Sequence, residues 1–168
     1  HERLVGSEMC IRDSYWTVCG PHGIIEKGII LREEKVSLMR MKVSDYIAQK
    51  LVDEGITDAF MVTGGGAMHL DDGLGHQPGL HCYFNHHEQA CAIAAEAYAR
   101  IHNKIAALCV TTGPGGTNAI TGVVGGWLDS IPMLVLSGQV RYDTTAHSTG
   151  LGIRAMGDQE FEITKAID

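Results

Sequence analysis

At 168 residues with 45% apolar content, the chain is long enough for one domain with a real core. Its net charge of −7 speaks against a nucleic-acid partner, no apolar run is long enough to span a bilayer, and no basic-then-apolar start marks a secretory signal. Five cysteines without a CxxC pair read as reduced thiols of a cytoplasmic protein rather than as a disulfide framework.

The charge is unevenly spread. Residues 1–40 carry six acids and six bases, whereas residues 41–168 carry fourteen acids and seven bases. The first segment lacks amphipathic periodicity. Leu4–Ser14 back-translates into a string that looks like a transposase-type sequencing-library adapter, and Arg32–Lys35 into a purine-rich ribosome-binding site ahead of Met39 or Met41. Residues 1–40 are therefore expected to be a non-native leader, with one domain over residues 41–168.

From Met41 the pattern becomes regular. Ser44 is placed to cap a helix through "DYIAQKLVDE", with Tyr46, Ile47, Leu51 and Val52 on its apolar face and Gly55 ending it. "DAFMV" reads as a strand entering the glycines of "TGGGAMHL", followed by a short helix around Met68–Leu74 and a turn at "GHQPG". "HCYF" is a second strand, and Glu88–Ile101 a long helix. "IAALCVTT" and "IPMLVLS" read as strands buried on both faces of a parallel sheet, joined by the glycine-rich turn and helix of "GPGGTNAITGVVGGWLD". Arg141–Asp168 begins as a loop, starts a helix near Gln159 and stops without a capping signal, which suggests truncation. Strands alternating with helices at this spacing predict an α/β fold, a three-layer sandwich with a mostly parallel sheet between helices.

The chemically distinctive residues share one edge. Gly64–Gly66, "NHHE" at Asn85–Glu88, "GPGGTN" and Gly138–Gln139 each follow the carboxyl end of a predicted strand, where open parallel sheets bind ligands. Glu88 also suits the positive end of a helix dipole, so position alone leaves both readings open. The glycine turns match neither GxxxxGK[ST] nor GxGxxG, and either cradle phosphate or simply permit tight connections. His81, His86, His87, Asp71 and Asp72 lack metal-ligand spacing, so no metal site is expected in the chain. Cys82, Cys91 and Cys109 read as core residues, and Ser137 and Ser148 lack a GxSxG elbow. The alanines after Glu88 and Gly122, Gly125 and Gly126 make two smooth helices, suited to sheet packing or to a subunit interface.

Taken together, "HEQACAIAAEAYAR", "VTTGPGGTNAITGV", "WLDSIPMLVLSGQV" and "GDQEFEI" resemble thiamine-diphosphate-dependent enzymes of the acetolactate synthase group. The resemblance covers nearly all of Met41–Asp168 and implies the N-terminal pyrimidine-binding domain of that family, with its α/β sandwich. It gives Glu88 a role: the matching glutamate hydrogen-bonds a ring nitrogen of the cofactor's aminopyrimidine and promotes the tautomer that deprotonates the thiazolium ring. By the same resemblance Pro114 and Asn118 pack beside the pyrimidine. Gly64 and Gly65 face the reacting side of the cofactor, where a side chain would crowd it, and Gln139, Asp158 and Gln159 line the substrate pocket. The implied activity is 2-keto-acid decarboxylation and carboligation, with an acetyl unit passing from pyruvate to a keto acceptor.

The chain departs from the group at two places. It has "VTGGG" at Val62–Gly66 where "YPGGA" is typical, and Asp158 where an apolar residue precedes the "QE" pair. An acid there suits a hydroxylated acceptor, which raises a keto-sugar acceptor in polysaccharide biosynthesis as an alternative. A simple 2-keto-acid decarboxylase and a non-catalytic α/β scaffold are the others. The family's "GDG…N" segment, which binds diphosphate through Mg²⁺ on a separate C-terminal domain, does not appear in these 168 residues. The resemblance therefore implies a site shared between subunits of at least a dimer, with FAD an option in the full-length protein and the isolated fragment inactive.

Overall fold

The computed structural model describes residues 15–18, 39–144, 148 and 150. Two short strands, β1 (Tyr15–Val18) and β2 (Met39–Lys42), pair antiparallel, with Tyr15 opposite Lys42. Of the expected leader, only Tyr15–Val18 and Met39–Arg40 fall among the described residues. The helix expected near Asp158–Gln159 lies outside them, as do those two residues.

Helix α1 spans Val43–Asp53. Its N-cap is Lys42 with no side-chain cap, so Ser44 does not cap the helix as expected. Ser44 is instead buried in the first turn, its backbone 2.8 Å from where a Cβ on Gly73 would sit. The buried face is Ser44, Ala48 and Leu51 flanked by Ile47, whereas Tyr46 is exposed. Period alone placed Tyr46 on the apolar stripe, but the small residues are the ones pressed against the next helix. Gly55 closes α1 at φ +79, its N–H donating to Val52 O at 2.9 Å.

The remaining elements follow the expected order: β3 (Asp58–Met61), α2 (Met68–His76), β4 (His81–Phe84), α3 (Glu88–His102), β5 (Ala106–Val110), α4 (Pro114–Leu128) and β6 (Met133–Ser137). A 3₁₀ turn at Gly65–Ala67 leads into α2. The four strands β3 to β6 are all parallel, in the order β4-β3-β5-β6. The chain thus steps one way from β3 to β4, then back across β3 to β5. Crossovers of a single hand then put α2 and α3 on opposite faces.

Alternation along the strands feeds two cores. Ala59, Met61, Ala107 and Cys109 face α1 and α2, meeting Ala48, Leu51, Leu70 and Leu74. Leu108 and Val110 face α3 and α4, meeting Cys91, Ala92, Ala119 and Val123, with Phe60 and Val135 at the margin. Leu74, Leu108 and Val110 are wholly buried, each contributing about 2 kcal/mol. β5 is buried at every residue, as its sequence predicts, but β6 is only half-buried because it forms an edge of the described sheet. No helix among the described residues is long and apolar enough to cross a membrane.

Candidate functional site

The strand order reverses between β3 and β5, so the loops leaving their carboxyl ends diverge and open a crevice. Four segments meet there: Val62–Gly66 after β3, Asn85–His87 before α3, Thr111–Gly113 after β5, and Gly138–Val140 after β6. Each adjoins or overlaps a segment singled out in the sequence: Gly64–Gly66, Asn85–Glu88, Gly113–Asn118 and Gly138–Gln139.

Glu88 is the first residue of α3 and half-buried. The helix is capped by His87, whose Nδ1 accepts the Gln89 N–H at 3.1 Å, a cap of unusual residue type. With the cap supplied by His87, the Glu88 side chain is free to reach across to α4. There Asn118 Nδ2 donates to Glu88 Oε2 at 3.0 Å. Among the described residues, Oε1 accepts no hydrogen bond. Beside it lies Gly115, where a Cβ would sit 3.5 Å from Oε1. One oxygen is thus anchored and the other faces space that a larger residue at Gly115 would begin to fill.

Asn118 reaches this position through the turn before it. Gly113 has φ +58 and ψ −116, a conformation open to glycine alone, and Pro114 then starts α4 with its ring at the first helical position. Thr117 steadies this turn, its N–H donating to Gly113 O at 3.0 Å and its hydroxyl to Pro114 O at 3.1 Å.

The glycine loops lock onto a residue the sequence reading passed over. A Cβ on Gly64 would lie 2.5 Å from Thr111 Cβ, and one on Gly115 would lie 2.7 Å from Thr111 Cγ2. Thr111 therefore sits in a niche formed by two glycines from different loops. Its hydroxyl accepts the Gly66 N–H at 3.0 Å, and Asp71 Oδ2 accepts the Gly64 N–H at 3.2 Å. Both N–H groups are committed within the protein, so tight packing explains these two glycines better than a phosphate cradle does. Gly65 differs: a Cβ there would meet nothing within 4 Å. Gly138 closes the loop from β6, since its Cβ would lie 2.5 Å from Gly66 O.

Thr112 Oγ1 donates to Gln139 Oε1 at 2.6 Å, and the Val140 N–H donates to the same oxygen at 2.9 Å. The amide oxygen being doubly engaged, the Gln139 NH₂ is the part of the amide left to act as a donor. The signal for Thr111 and Thr112 was present as paired β-branched hydroxyls between a buried strand and a glycine turn. Asp71 carried no such signal, because its partner Gly64 is a backbone group. Burial pushes the Asp71 carboxyl up, against the opposing effect of the Gly64 N–H and the Cys109 thiol. Burial likewise pushes the Cys109 thiol far up, with Asp71 adding to it, and Cys91 is raised by burial as well. These thiols are inert core groups.

The structure therefore brings together Glu88, Asn118, Pro114, Gly64, Gly65 and Gln139; Asp158 and Gln159 lie outside the described residues. Among the described residues, no group of three histidines, cysteines or acids is arranged to hold a metal. The anchored carboxylate with one open oxygen suits a protonated ring nitrogen, so these residues fit the pyrimidine end of the cofactor implied by the sequence.

Comparison with known proteins gives the family of the chain. Residues 41–163 match the family model described as "Thiamine pyrophosphate enzyme, N-terminal TPP binding domain". The chain is 36% identical over 131 residues to the acetolactate synthase large subunit of Buchnera aphidicola, covering 74% of this chain and 23% of that protein. It is 38% identical over 97 residues to the acetolactate synthase isozyme 3 large subunit of Escherichia coli, covering 58% of this chain and 17% of that one. To acetolactate synthase 2 of Zea mays, a chloroplastic protein, it is 36% identical over 99 residues, 59% of this chain and 16% of the relative. The chain spans less than a quarter of the length of these relatives.

Proposed function

Because the chain belongs to the thiamine pyrophosphate enzymes, through their N-terminal TPP binding domain, we propose that it forms the pyrimidine half of the active site of a 2-keto-acid decarboxylase and carboligase. The reaction is of acetolactate synthase type, with a two-carbon acetyl unit transferred from pyruvate to a keto acceptor. Thiamine diphosphate, when bound, supplies the electron sink that such decarboxylation requires.

The observation that carries this reading is the Glu88 carboxylate, anchored by Asn118 and open at Oε1. Glu88 would hold a proton at the pyrimidine ring nitrogen, a role that needs an acid able to share it. Asn118 orients the carboxylate, and Gly115 leaves the approach to Oε1 unobstructed. Gly65, with open space where a side chain would project, borders the reacting side, and the Gln139 NH₂ is suited to an acceptor oxygen of the keto acid.

Diphosphate and Mg²⁺ would be held by another domain, and FAD is an option in the full-length protein. The partner surface we assign is the outer side of α3 and α4, where Ile93, Ile101 and Leu128 are exposed. A Cβ on Gly125 would meet nothing within 4 Å, so that glycine leaves room for a neighbouring backbone. This assigns at least a dimer, and the fragment alone would be inactive. The free thiols of Cys82, Cys91 and Cys109 fit a cytoplasmic setting.

The test is Glu88→Gln in the full-length enzyme, read by exchange of the cofactor's thiazolium proton with deuterium. Loss of a positioned proton-transfer group should slow exchange by about 100-fold or more. Exchange at the wild-type rate would overturn the role. Analysis of the wild-type product with pyruvate separates carboligation from simple decarboxylation, in which the aldehyde is released.

A further inference from the structure

Asp71 is a half-buried acid that the reaction as described does not use. It lies in the first turn of α2, beside the buried Leu70 and close to Leu74, and among the described residues it has no basic partner. Its neighbour Asp72, by contrast, is exposed and meets both Lys42 and His76. A half-buried carboxylate without a cation costs stability unless neutral donors offset it. Asp71 has two: the Gly64 N–H at 3.2 Å on Oδ2, and the Cys109 Sγ at 3.8 Å on Oδ1. Both come from the floor of the crevice, one from the glycine loop and one from the buried strand beneath it.

Gly64, Gly65 and Gly66 offer no side chains, and glycine runs are intrinsically the most mobile backbone. Thr111 bonds the Gly66 N–H and packs against Gly64, Gly138 abuts Gly66 O, and Gly64 O accepts the Ala67 N–H at 2.9 Å, but none of these takes up the Gly64 N–H. Asp71 is the described group that accepts the Gly64 N–H. We propose that Asp71 is a positioning residue, whose carboxylate pins Gly64 and so fixes the height of the glycine loop against the reacting side of the cofactor. This deepens the function proposed above and rests on it only for the catalytic arm of the test.

The test compares Asp71→Leu, which keeps the shape and removes the acceptor, with Asp71→Asn, which keeps an acceptor, both in the full-length protein. Backbone deuterium uptake is followed in peptides covering residues 62–67 and, as a control, residues 90–100. D71L should speed uptake in the loop peptide at least tenfold and leave the α3 peptide unchanged, and D71N should restore most of the protection. With cofactor and pyruvate, D71L should lower kcat at least tenfold while leaving the cofactor Kd within about twofold, a split that general destabilisation would not produce. Wild-type loop exchange and kcat in D71L would overturn the proposal, as would D71N behaving like D71L. If D71L does not fold, uptake in the wild-type loop peptide decides: protection well above that of an exposed glycine turn supports the pin, and exchange at the unprotected rate refutes it. A wild-type enzyme that neither binds the cofactor nor consumes a 2-keto acid would sink the functional reading, yet the exchange arm would still report on the pin.

Discussion

Gly122 of α4 packs directly against Ala92 and Ile93 of α3, and its substitution by alanine tests whether that contact sets the site. A Cβ there would lie 2.6 Å from Ala92 Cβ, 2.9 Å from Ile93 N and 3.0 Å from Ala92 C. Ordinary carbon contacts are about 3.5–4.0 Å, so the helices must part by roughly 1 Å. Two of the three neighbours are backbone atoms, which have no rotamer to escape into. Overpacking of this kind costs about 1–3 kcal/mol, while alanine recovers about 1 kcal/mol of helix propensity over glycine. With rigid neighbours the cost should lie at the upper end, for a net loss of about 1–2 kcal/mol. Gly125 is the matched control, because a Cβ there meets nothing within 4 Å. In the isolated chain, Gly125→Ala should therefore gain up to about 1 kcal/mol from propensity alone.

Urea unfolding of the two variants beside the wild-type chain measures the difference, expected to be about 2–3 kcal/mol on the same two terms. The separation should also reach the site, since Asn118 and Glu88 each lie one helical turn before the contact residues Gly122 and Ala92. Their 3.0 Å hydrogen bond would stretch beyond bonding range. Gly122→Ala melting at or above Gly125→Ala would refute the interlock and, with it, the claim that helix spacing holds Glu88.

Two further expectations concern titrating groups. Burial holds the Cys91 and Cys109 thiols protonated, so iodoacetamide at neutral pH should label neither until denaturant is added; rapid labelling of Cys109 in the native chain would contradict its place in the core. At the amino end of β3, Asp58 accepts from Thr57, Tyr83 and Tyr98 at 2.6, 3.1 and 2.6 Å. Burial alone would raise this carboxyl, but the three hydrogen bonds outweigh it and the net direction is down. Its stabilisation should be complete above the unfolded carboxylate value of about 3.9 and fade as pH falls through the lower folded value. Asp58→Asn should flatten the acid limb of stability against pH, and an unaltered limb would show that the cluster does not contribute.

The elements were legible because their signals were local. The unbroken apolar run of Ala106–Val110 announced a central strand, and Gly55 marked a helix end that the structure keeps. Position at strand ends located the crevice as well. What stayed hidden depended on partners distant in the chain. Ser44 looked like a cap, but contact with Gly73 buries it inside the first turn while Lys42 takes the cap position. The capping role of His87 was invisible because histidine is a rare cap, and only the fold shows its Nδ1 turned back on Gln89. Gly64 and Gly115 looked like turn glycines or ligand glycines, whereas Thr111, more than forty residues after the first, dictates both.

The pairing of β3 with β5 has a consequence for how the domain assembles. Ala59 lies opposite Ala107, so this ladder closes a loop of about fifty residues, a non-local step of the kind that slows folding. Until β5 enters between β3 and β6, Thr111 cannot seat between its glycines and α4 cannot present Asn118 to Glu88. The α1 and α2 layer, and with it the contact of Asp71 with Gly64, can begin to collect around β3 from nearby sequence, but the rest of the crevice has no partly built precursor. Its parts are dispersed in the nascent chain and become a site together, in the same event that completes the sheet.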